Sequence, residues 1–374
     1  MDKIVAKKQQ EVKGLKAHYR LSELEESLEF GNSNPYADFQ KLKAEEEFIF
    51  ITEFKRKSPS EGHINPWVSI EDQINSYKKF GAHMISVLTD TPFFGGDYRD
   101  LRTASRLVAG SGVKILHKDF IIDPIQIALG RKMGADAVLL IARILDEDQL
   151  HALKTYAEGL GMMVLMEVHN ADELEKIQGL DCAMVGVNNR DLDAFDTRVN
   201  RFNVLQAKLG KQVIKIAESG VHDTLSFKTI AAHGDGLLIG TGLMKQGLNE
   251  PLKSKFKCHQ KYIFKACGLR QAEDLDALDY ADLVGLNVSP SSKRKFDAFD
   301  AIDSKRGKVL VSKGLSVAEL QAYLEQEKVN YVQLYVEDFG LQIPPIPRNV
   351  GVILSIPASH PDRDKLMHHW AWHV

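Results

Sequence analysis

The constraint that narrows this chain most is a rhythm. From about residue 48, short and continuously apolar stretches recur: Phe48–Phe54, Met84–Thr89, Val113–His117, Ala137–Ile141, Met163–Val168, Ala183–Val187, Val213–Ala217 and Gly236–Ile239. None alternates apolar with polar residues, the pattern expected of strands buried on both faces. Amphipathic segments lie between them, such as Asp123–Met133, Glu147–Gly159 and Asp172–Gln178. Eight strand-then-helix units in about 200 residues is the arithmetic of a closed (β/α)8 TIM barrel. The competing open, doubly wound sheet usually carries a G-x-G-x-x-G turn after its first strand, and none stands there. Residues 1 to about 45 read as a helical extension, interrupted at Gly31–Pro35.

Composition removes several function classes. The 48 Lys and Arg against 51 Asp and Glu leave a net charge of −3 over 374 residues, so no general electrostatic attraction to nucleic acid or anionic membrane is expected. Three cysteines, Cys182, Cys258 and Cys267, are too few and too scattered for a disulfide framework or a zinc site. The first twenty residues mix basic and apolar side chains and lack the apolar core of a signal peptide. No apolar run approaches the ~20 residues of a membrane span. The expectation is a cytoplasmic protein kept reduced.

Polar residues cluster where the apolar runs stop. Glu53 and Lys55 end the first, Asp90 follows the second and Lys118 the third; Glu167 ends the fifth, Asn188 and Arg190 follow the sixth, and Glu218 to Gly220 follow the seventh. Any one alone reads as a solvated loop charge or a helix cap. In a barrel all these ends converge on one mouth, where active sites of the fold lie. Gly-containing turns at Glu218–Val221 and Gly240–Gly242 close the seventh and eighth units, and such turns expose backbone N–H groups to a phosphate. His117 points into barrel packing by strand alternation, and His169 lacks the carboxylate spacing of a metal ligand set. Nothing in the pattern calls for a metal, nucleotide or organic cofactor.

These same residues carry a resemblance. Ile51–Ser60, Leu88–Asp90 followed by Phe93–Gly95, His117–Phe120, Met166–His169, Gly186–Leu192, Ala217–Val221 and Leu238–Thr241 resemble, in order, the signatures of the indole-3-glycerol-phosphate synthase family. The resemblance implies conversion of 1-(2-carboxyphenylamino)-1-deoxyribulose 5-phosphate to indole-3-glycerol phosphate, with loss of carbon dioxide and water. It implies Lys118 as the acid at the ribulose carbonyl, with a pKa lowered by neighbouring cations. Lys55 would hold the anthranilate carboxylate, and Glu167 would assist loss of the hydroxyl. Glu53 would orient the lysines, Asn188 the intermediate, and Glu218 would support the cations. Ser58, Ser219, Gly220, Gly240 and Thr241 fall to substrate binding, mainly of phosphate. Arg190 falls to a carboxylate or developing charge, and Phe94 and Phe120 to walls for the aromatic ring.

Beyond about residue 255 a second domain, 256–374, resembles phosphoribosylanthranilate isomerase through Ile263–Leu269, Ala281–Gly285 and Val332–Leu334. The resemblance makes Cys267 the counterpart of that family's general base. Five apolar runs, near 263–267, 282–287, 308–312, 329–335 and 349–355, leave 374 − 355 = 19 residues, too few for three more βα units. The expectation is an incomplete TIM-barrel-like domain without isomerase activity of its own, with Cys267 a small buried residue of its first strand. Its uncovered sheet would lean on the first domain or on a second copy of the chain. Asp362 and Asp364 lack the strand-end context of a catalytic acid, and Trp370 and Trp372 add apolar surface. Rival readings are another phosphate-handling barrel, an aldolase for instance, and a barrel kept only as a scaffold.

Overall fold

The computed structural model describes residues 2–28, 34–59, 61–65, 67–190, 200–221 and 230–246 of the first part of the chain. In the second part it describes 265–267, 283–289, 307–326, 329–339, 344–347 and 350–355, with isolated positions between these segments. Asp362, Asp364, Trp370 and Trp372 lie outside the described residues. The chain divides into two compact units, one of residues 1–222 and 230–258, the other of 223–229 and 259–374.

The first unit is a closed parallel barrel. Its strands are β1 (Ile49–Phe54), β2 (Met84–Leu88), β3 (Lys114–Lys118), β4 (Ala137–Ile141), β5 (Met163–Val168), β6 (Met184–Asn188), β7 (Ile214–Glu218) and β8 (Gly236–Ile239). They follow one another around the ring, and β1 pairs with both β2 and β8, which rules out the open sheet. The apolar runs mark the fourth, fifth and eighth of these strands to the residue and the other five to within one residue.

The interior is layered by strand alternation. Ile49 and Ile51 of β1, Leu116 of β3, Met163 and Leu165 of β5, Met184 of β6, and Ile214 and Ile216 of β7 belong to one buried cluster. Tyr36 and Phe39, from the chain leading into and through the helix Ala37–Ala44, pack in the same cluster. Successive residues on a strand point to opposite faces, so the next inward position is Glu53, Lys118, Glu167 or Glu218 on four of these strands, and on β6 Asn188 follows Gly186 in the same alternation. The polar groups form the top layer of a packed apolar core. His117, one position out of phase, faces outward and is fully buried against Gly130, where a Cβ would stand 2.3 Å from its Nδ1.

The N-terminal extension consists of α1 (Asp2–His18), α2 (Leu21–Glu26) and α3 (Ala37–Ala44). Val12 and Leu24 pack on Ile125, Ala128 and Leu129 of the barrel helix Pro124–Lys132. That barrel helix starts on a capping box, with Asp123 and Gln126 satisfying each other's backbone N–H groups and Pro124 in the first turn.

The second unit holds a five-stranded parallel sheet in sequential order: β9 (Lys265–Cys267), β10 (Leu283–Asn287), β11 (Gly307–Val311), β12 (Tyr331–Tyr335) and β13 (Gly351–Ser355). One face, with Val284, Leu286, Leu310, Val332 and Leu334, is packed with Leu320 and Leu324 of the helix Val317–Gln326. Strands in sequential order with a crossover helix are the topology of a partial β/α barrel. Among the described residues no helix is long and apolar enough to cross a membrane.

Candidate active site

Three barrel carboxylates and two lysines meet above the apolar layers. Glu53 is 3 % exposed and bridges both lysines: Lys55 Nζ lies 2.6 Å from its Oε1, and Lys118 Nζ lies 3.4 Å from its Oε2. Burial opposes its charge, but Lys55 and Lys118 outweigh burial and hold the carboxyl at about 2. Tyr77 donates its hydroxyl to the Glu53 backbone carbonyl at 3.0 Å, fixing the end of β1. Gly240, next in line on β8, leaves room for this side chain, since a Cβ there would sit 2.5 Å from Glu53 Oε1.

Lys118 departs from the expectation. Burial works to lower its pKa, but Glu53, Glu167 and Glu218 surround it and move it the other way, above the ordinary lysine value. The expected neighbours were cations; the actual ones are carboxylates, so the ammonium stays charged. It acts as a fixed positive hydrogen-bond donor rather than as a readily neutralised amine.

Glu218 departs too. Burial and the negative Glu167 push its carboxyl well above the usual range, with Lys118 opposing, which favours the protonated acid. A neutral acid cannot support the cations with charge. Its Oε1 lies against the β6 strand, where Gly186 makes the room: a Cβ there would stand 2.1 Å from that oxygen.

Glu167 is 2 % exposed and receives the Asn188 side-chain amide at 3.1 Å. Burial would raise its carboxyl, but His169, Lys118 and Asn188 bring it down to about 2. His169 is the neighbour that motif reading passed over once a metal role was set aside. Its Nε2 is 3.0 Å from Glu167 and its Nδ1 is 3.1 Å from Glu173.

The expected binding residues occupy the rim. Phe94 and Phe120 face each other with ring centroids 6.1 Å apart. Ser58 is buried in a two-residue hairpin with Gly62, and its Oγ accepts from the Glu61 backbone N–H at 3.2 Å. The Arg190 backbone N–H donates to Asn188 Oδ1 at 2.9 Å. Ser219 and Gly220 follow β7, with φ of 63° and 85°; Ser219 is one of only three non-glycine residues with positive φ among the described residues. Such a backbone costs on the order of 1–2 kcal/mol for a residue with a Cβ. Gly240 and Thr241 follow the adjacent strand β8, and Thr241 opens the helix Thr241–Gln246.

Asp90 is a helix cap, one of its two ordinary readings. It caps the short helix Thr91–Phe94 by accepting from the Phe93 and Phe94 N–H groups, and it pairs at 3.0 Å with Lys8 of α1. The same buried ammonium reaches Asp119 at 2.7 Å, immediately after Lys118. Lys8 therefore ties the extension to the segments after β2 and β3 that carry Phe94 and Phe120. One lysine in a basic helix gave no sequence signal for this.

Residues 1–254 match the indole-3-glycerol phosphate synthase family. The chain belongs to the indole-3-glycerol phosphate synthase family. It is 36 % identical over 315 residues to the tryptophan biosynthesis protein TrpCF of Helicobacter pylori, an alignment covering 81 % of this chain and 68 % of that one. It is 39 % identical over 205 residues to an indole-3-glycerol phosphate synthase of Staphylococcus aureus, covering 54 % of this chain and 77 % of the relative. For this family, the top layer of the barrel is the expected place for chemistry.

In the second unit Cys267 is exposed rather than buried. Gly285 on the neighbouring strand clears the space around it, since a Cβ there would lie 2.2 Å from its Sγ. Lys265 Nζ lies 2.6 Å from that Sγ and 2.6 Å from Gln333 Oε1.

Proposed function

We infer that this chain is an indole-3-glycerol-phosphate synthase of tryptophan biosynthesis, a carboxy-lyase acting on 1-(2-carboxyphenylamino)-1-deoxyribulose 5-phosphate. The observation that carries the reading is Glu53 bridging Lys55 and Lys118 atop the apolar layers of a barrel that belongs to this family. The substrate presents a carboxylate, a carbonyl and a phosphate, and the mouth offers a group for each.

Lys55 receives the anthranilate carboxylate, exchanging part of its Glu53 contact for the substrate. Lys118 donates to the ribulose carbonyl as the aromatic carbon attacks it, and gives up its proton to the oxygen that forms. An alkoxide is a far stronger base than any lysine amine, so the raised pKa of Lys118 does not prevent this transfer. Carbon dioxide then leaves and the ring regains aromaticity. Glu167 assists departure of the hydroxyl, Asn188 orients the intermediate, and the protonated Glu218 contributes a neutral donor. Phe94 and Phe120 flank the aromatic ring. The phosphate is assigned to Ser58, Ser219, Gly220, Gly240 and Thr241, where backbone turns after β7 and β8 and the start of a helix favour an anion; Arg190 is assigned to developing charge at the rim. All these roles fall to side chains and backbone groups, and the expected place of work is the cytoplasm.

Incubating the purified chain with its substrate and identifying the product by mass spectrometry tests the reading. Indole-3-glycerol phosphate and carbon dioxide are expected in equal amounts. Borohydride trapping of a substrate adduct on a lysine would favour the aldolase-type alternative instead.

For the second unit, the sequential parallel sheet and the exposed Cys267 beside Lys265 support an isomerase-like fold, with Cys267 in the position of a base. Supplying phosphoribosylanthranilate and following its fluorescence tests it; the expected result is no robust consumption dependent on Cys267.

A further inference from the structure

His169 is a buried titratable side chain in contact with Glu167 that takes no part in the steps above. It is 2 % exposed and sits two residues beyond Glu167, at the point where β5 gives way to the helix Ala171–Ile177. Both ring nitrogens face carboxylates. Nδ1 is 3.1 Å from Glu173 Oε2, and Nε2 is 3.0 Å from Glu167 Oε1 at a poor hydrogen-bonding angle. Glu173 is itself fixed: it accepts from the His169 backbone N–H at 2.7 Å and from the Asn170 amide at 3.0 Å. A structural histidine needs one acceptor; this one has an acidic group at each end, and one of those groups lines the mouth.

The proton balance of the reaction gives that arrangement a use. The substrate loses carbon dioxide from a carboxylate, a hydroxyl from the former carbonyl carbon and a hydrogen from the carbon next to nitrogen. Two protons are taken up, one at the carbonyl oxygen and one at the departing hydroxyl, and one is released, so each turnover consumes one proton net. Lys118 covers the first. Glu167 is ionised and has none of its own to give for the second.

We propose that His169 is a positioning residue for Glu167, which it aims at the mouth and to which it passes the proton released to the departing hydroxyl as water. This deepens the synthase reading and rests on it. The proton leaves Nε2 for Glu167 Oε1, and the carboxylic acid so formed gives it to the hydroxyl; the C–O bond breaks and water departs. The hydrogen on the carbon next to nitrogen leaves as a proton to the Lys118 amine that ring closure left neutral, its electron pair forming the new ring double bond, and the neutral imidazole is recharged from solvent. Glu173 stabilises the charged ring between turnovers. Burial disfavours the imidazolium, but Glu167 and Glu173 outweigh it and raise the ring to about 9. Lys118 from β3 and Glu218 from β7 also act on this cluster, with opposite signs, through Glu167.

The test combines kinetics of the full chain, His169→Gln and Glu173→Gln with an NMR titration of the imidazole in the wild-type chain. Gln keeps a polar contact but holds no exchangeable charge. His169→Gln is expected to lower kcat by about 100-fold or more with KM within about threefold, and to abolish the alkaline fall of kcat near pH 9. Glu173→Gln, which lies off the mouth, should move that alkaline limb to lower pH, and this result decides the matter should His169→Gln fail to fold. The imidazole itself should titrate near 9. A His169→Gln enzyme with kcat within about threefold of wild type, an unmoved limb in Glu173→Gln, or an imidazole titrating at its ordinary value of about 6.5 would each overturn the proposal. A wild-type chain whose imidazole titrates as expected but which forms no product would instead overturn the synthase reading.

Discussion

Glu53 and Glu218 are the same side chain at equivalent heights on strands that both pair with β8, yet their environments separate them. Glu53 has a lysine at each oxygen, which holds its charge; burial and Glu167 push Glu218 toward its neutral form against Lys118. Substitution by Gln should therefore act in opposite ways. Glu218→Gln mimics the neutral acid and should leave thermal stability within about 0.5 kcal/mol of wild type, whereas Glu53→Gln removes the carboxylate that bridges two poorly solvated ammonium groups and should cost about 3 kcal/mol or more. Differential scanning calorimetry of both variants checks this. Kinetics divide in the same way. Lys118→Ala should lower kcat by about two to four orders of magnitude, the range of a positioned acid, while Thr241→Ala should act mainly on KM, because phosphate is bound alike in the ground and transition states. The candidate residues themselves were legible because strand ends are legible: an apolar run that stops on Glu, Lys or Asn announces the top layer of a barrel. Their charge states were not. Whether Lys118 sits among cations or carboxylates depends on which strands adjoin across the ring, and no local pattern records that.

At the scale of elements, the N-terminal helices are part of the mouth's support rather than a tail. Lys8 is 2 % exposed and holds Asp90 and Asp119 together, and these follow β2 and β3. Burial opposes the Lys8 ammonium, but Asp119 and Asp90 raise its pKa, so the ion pair persists at any ordinary pH. Lys8→Ala leaves two carboxylates buried without their cation and should destabilise the protein by about 3–5 kcal/mol. It should also raise KM, because Phe94 and Phe120 ride on the freed loops. Removing residues 1–45 should do the same to a greater degree; denaturant unfolding and steady-state assay of both variants are the measurements, and unchanged KM would make the extension an idle appendage. The helices were readable from caps and charge pattern, as with Asp123-Pro124 at the start of its helix. The partner of a single lysine 82 and 111 residues distant was not, because such contacts are set by how α1 lies on the barrel. The same limit applies to Gly186 and Gly285, whose missing side chains clear space for Glu218 and Cys267 on neighbouring strands. The expectation of a buried Cys267 failed for this reason: burial of a strand residue depends on what covers its face.

For the whole molecule, the carboxylates of the barrel set its response to acid. Glu53 and Glu167 titrate at about 2 in the folded chain, against about 4.3 when unfolded. Groups with a depressed folded pKa contribute stability that is complete above the unfolded value and is lost as pH falls toward the folded one. Stability from these two residues should therefore be constant above about pH 5 and decline between about pH 4.5 and about pH 2, a window that urea denaturation at stepped pH will locate. The barrel was legible from periodicity alone, since eight buried runs with intervening helices leave few other closures. The two units belong to one chain, but the account of catalysis needs only the first. We propose that the layer of Glu53, Lys118 and Glu167 turns the carboxylated, phosphorylated substrate into an indole. The most direct measurement is the rise of indole fluorescence when substrate is mixed with the purified chain in the presence of EDTA, beside the Lys118→Ala variant. The account predicts sustained turnover by the wild-type chain, unaffected by the chelator, and a loss of about a hundredfold or more in the variant. Turnover that needs a divalent ion, or that survives intact without Lys118, would contradict it.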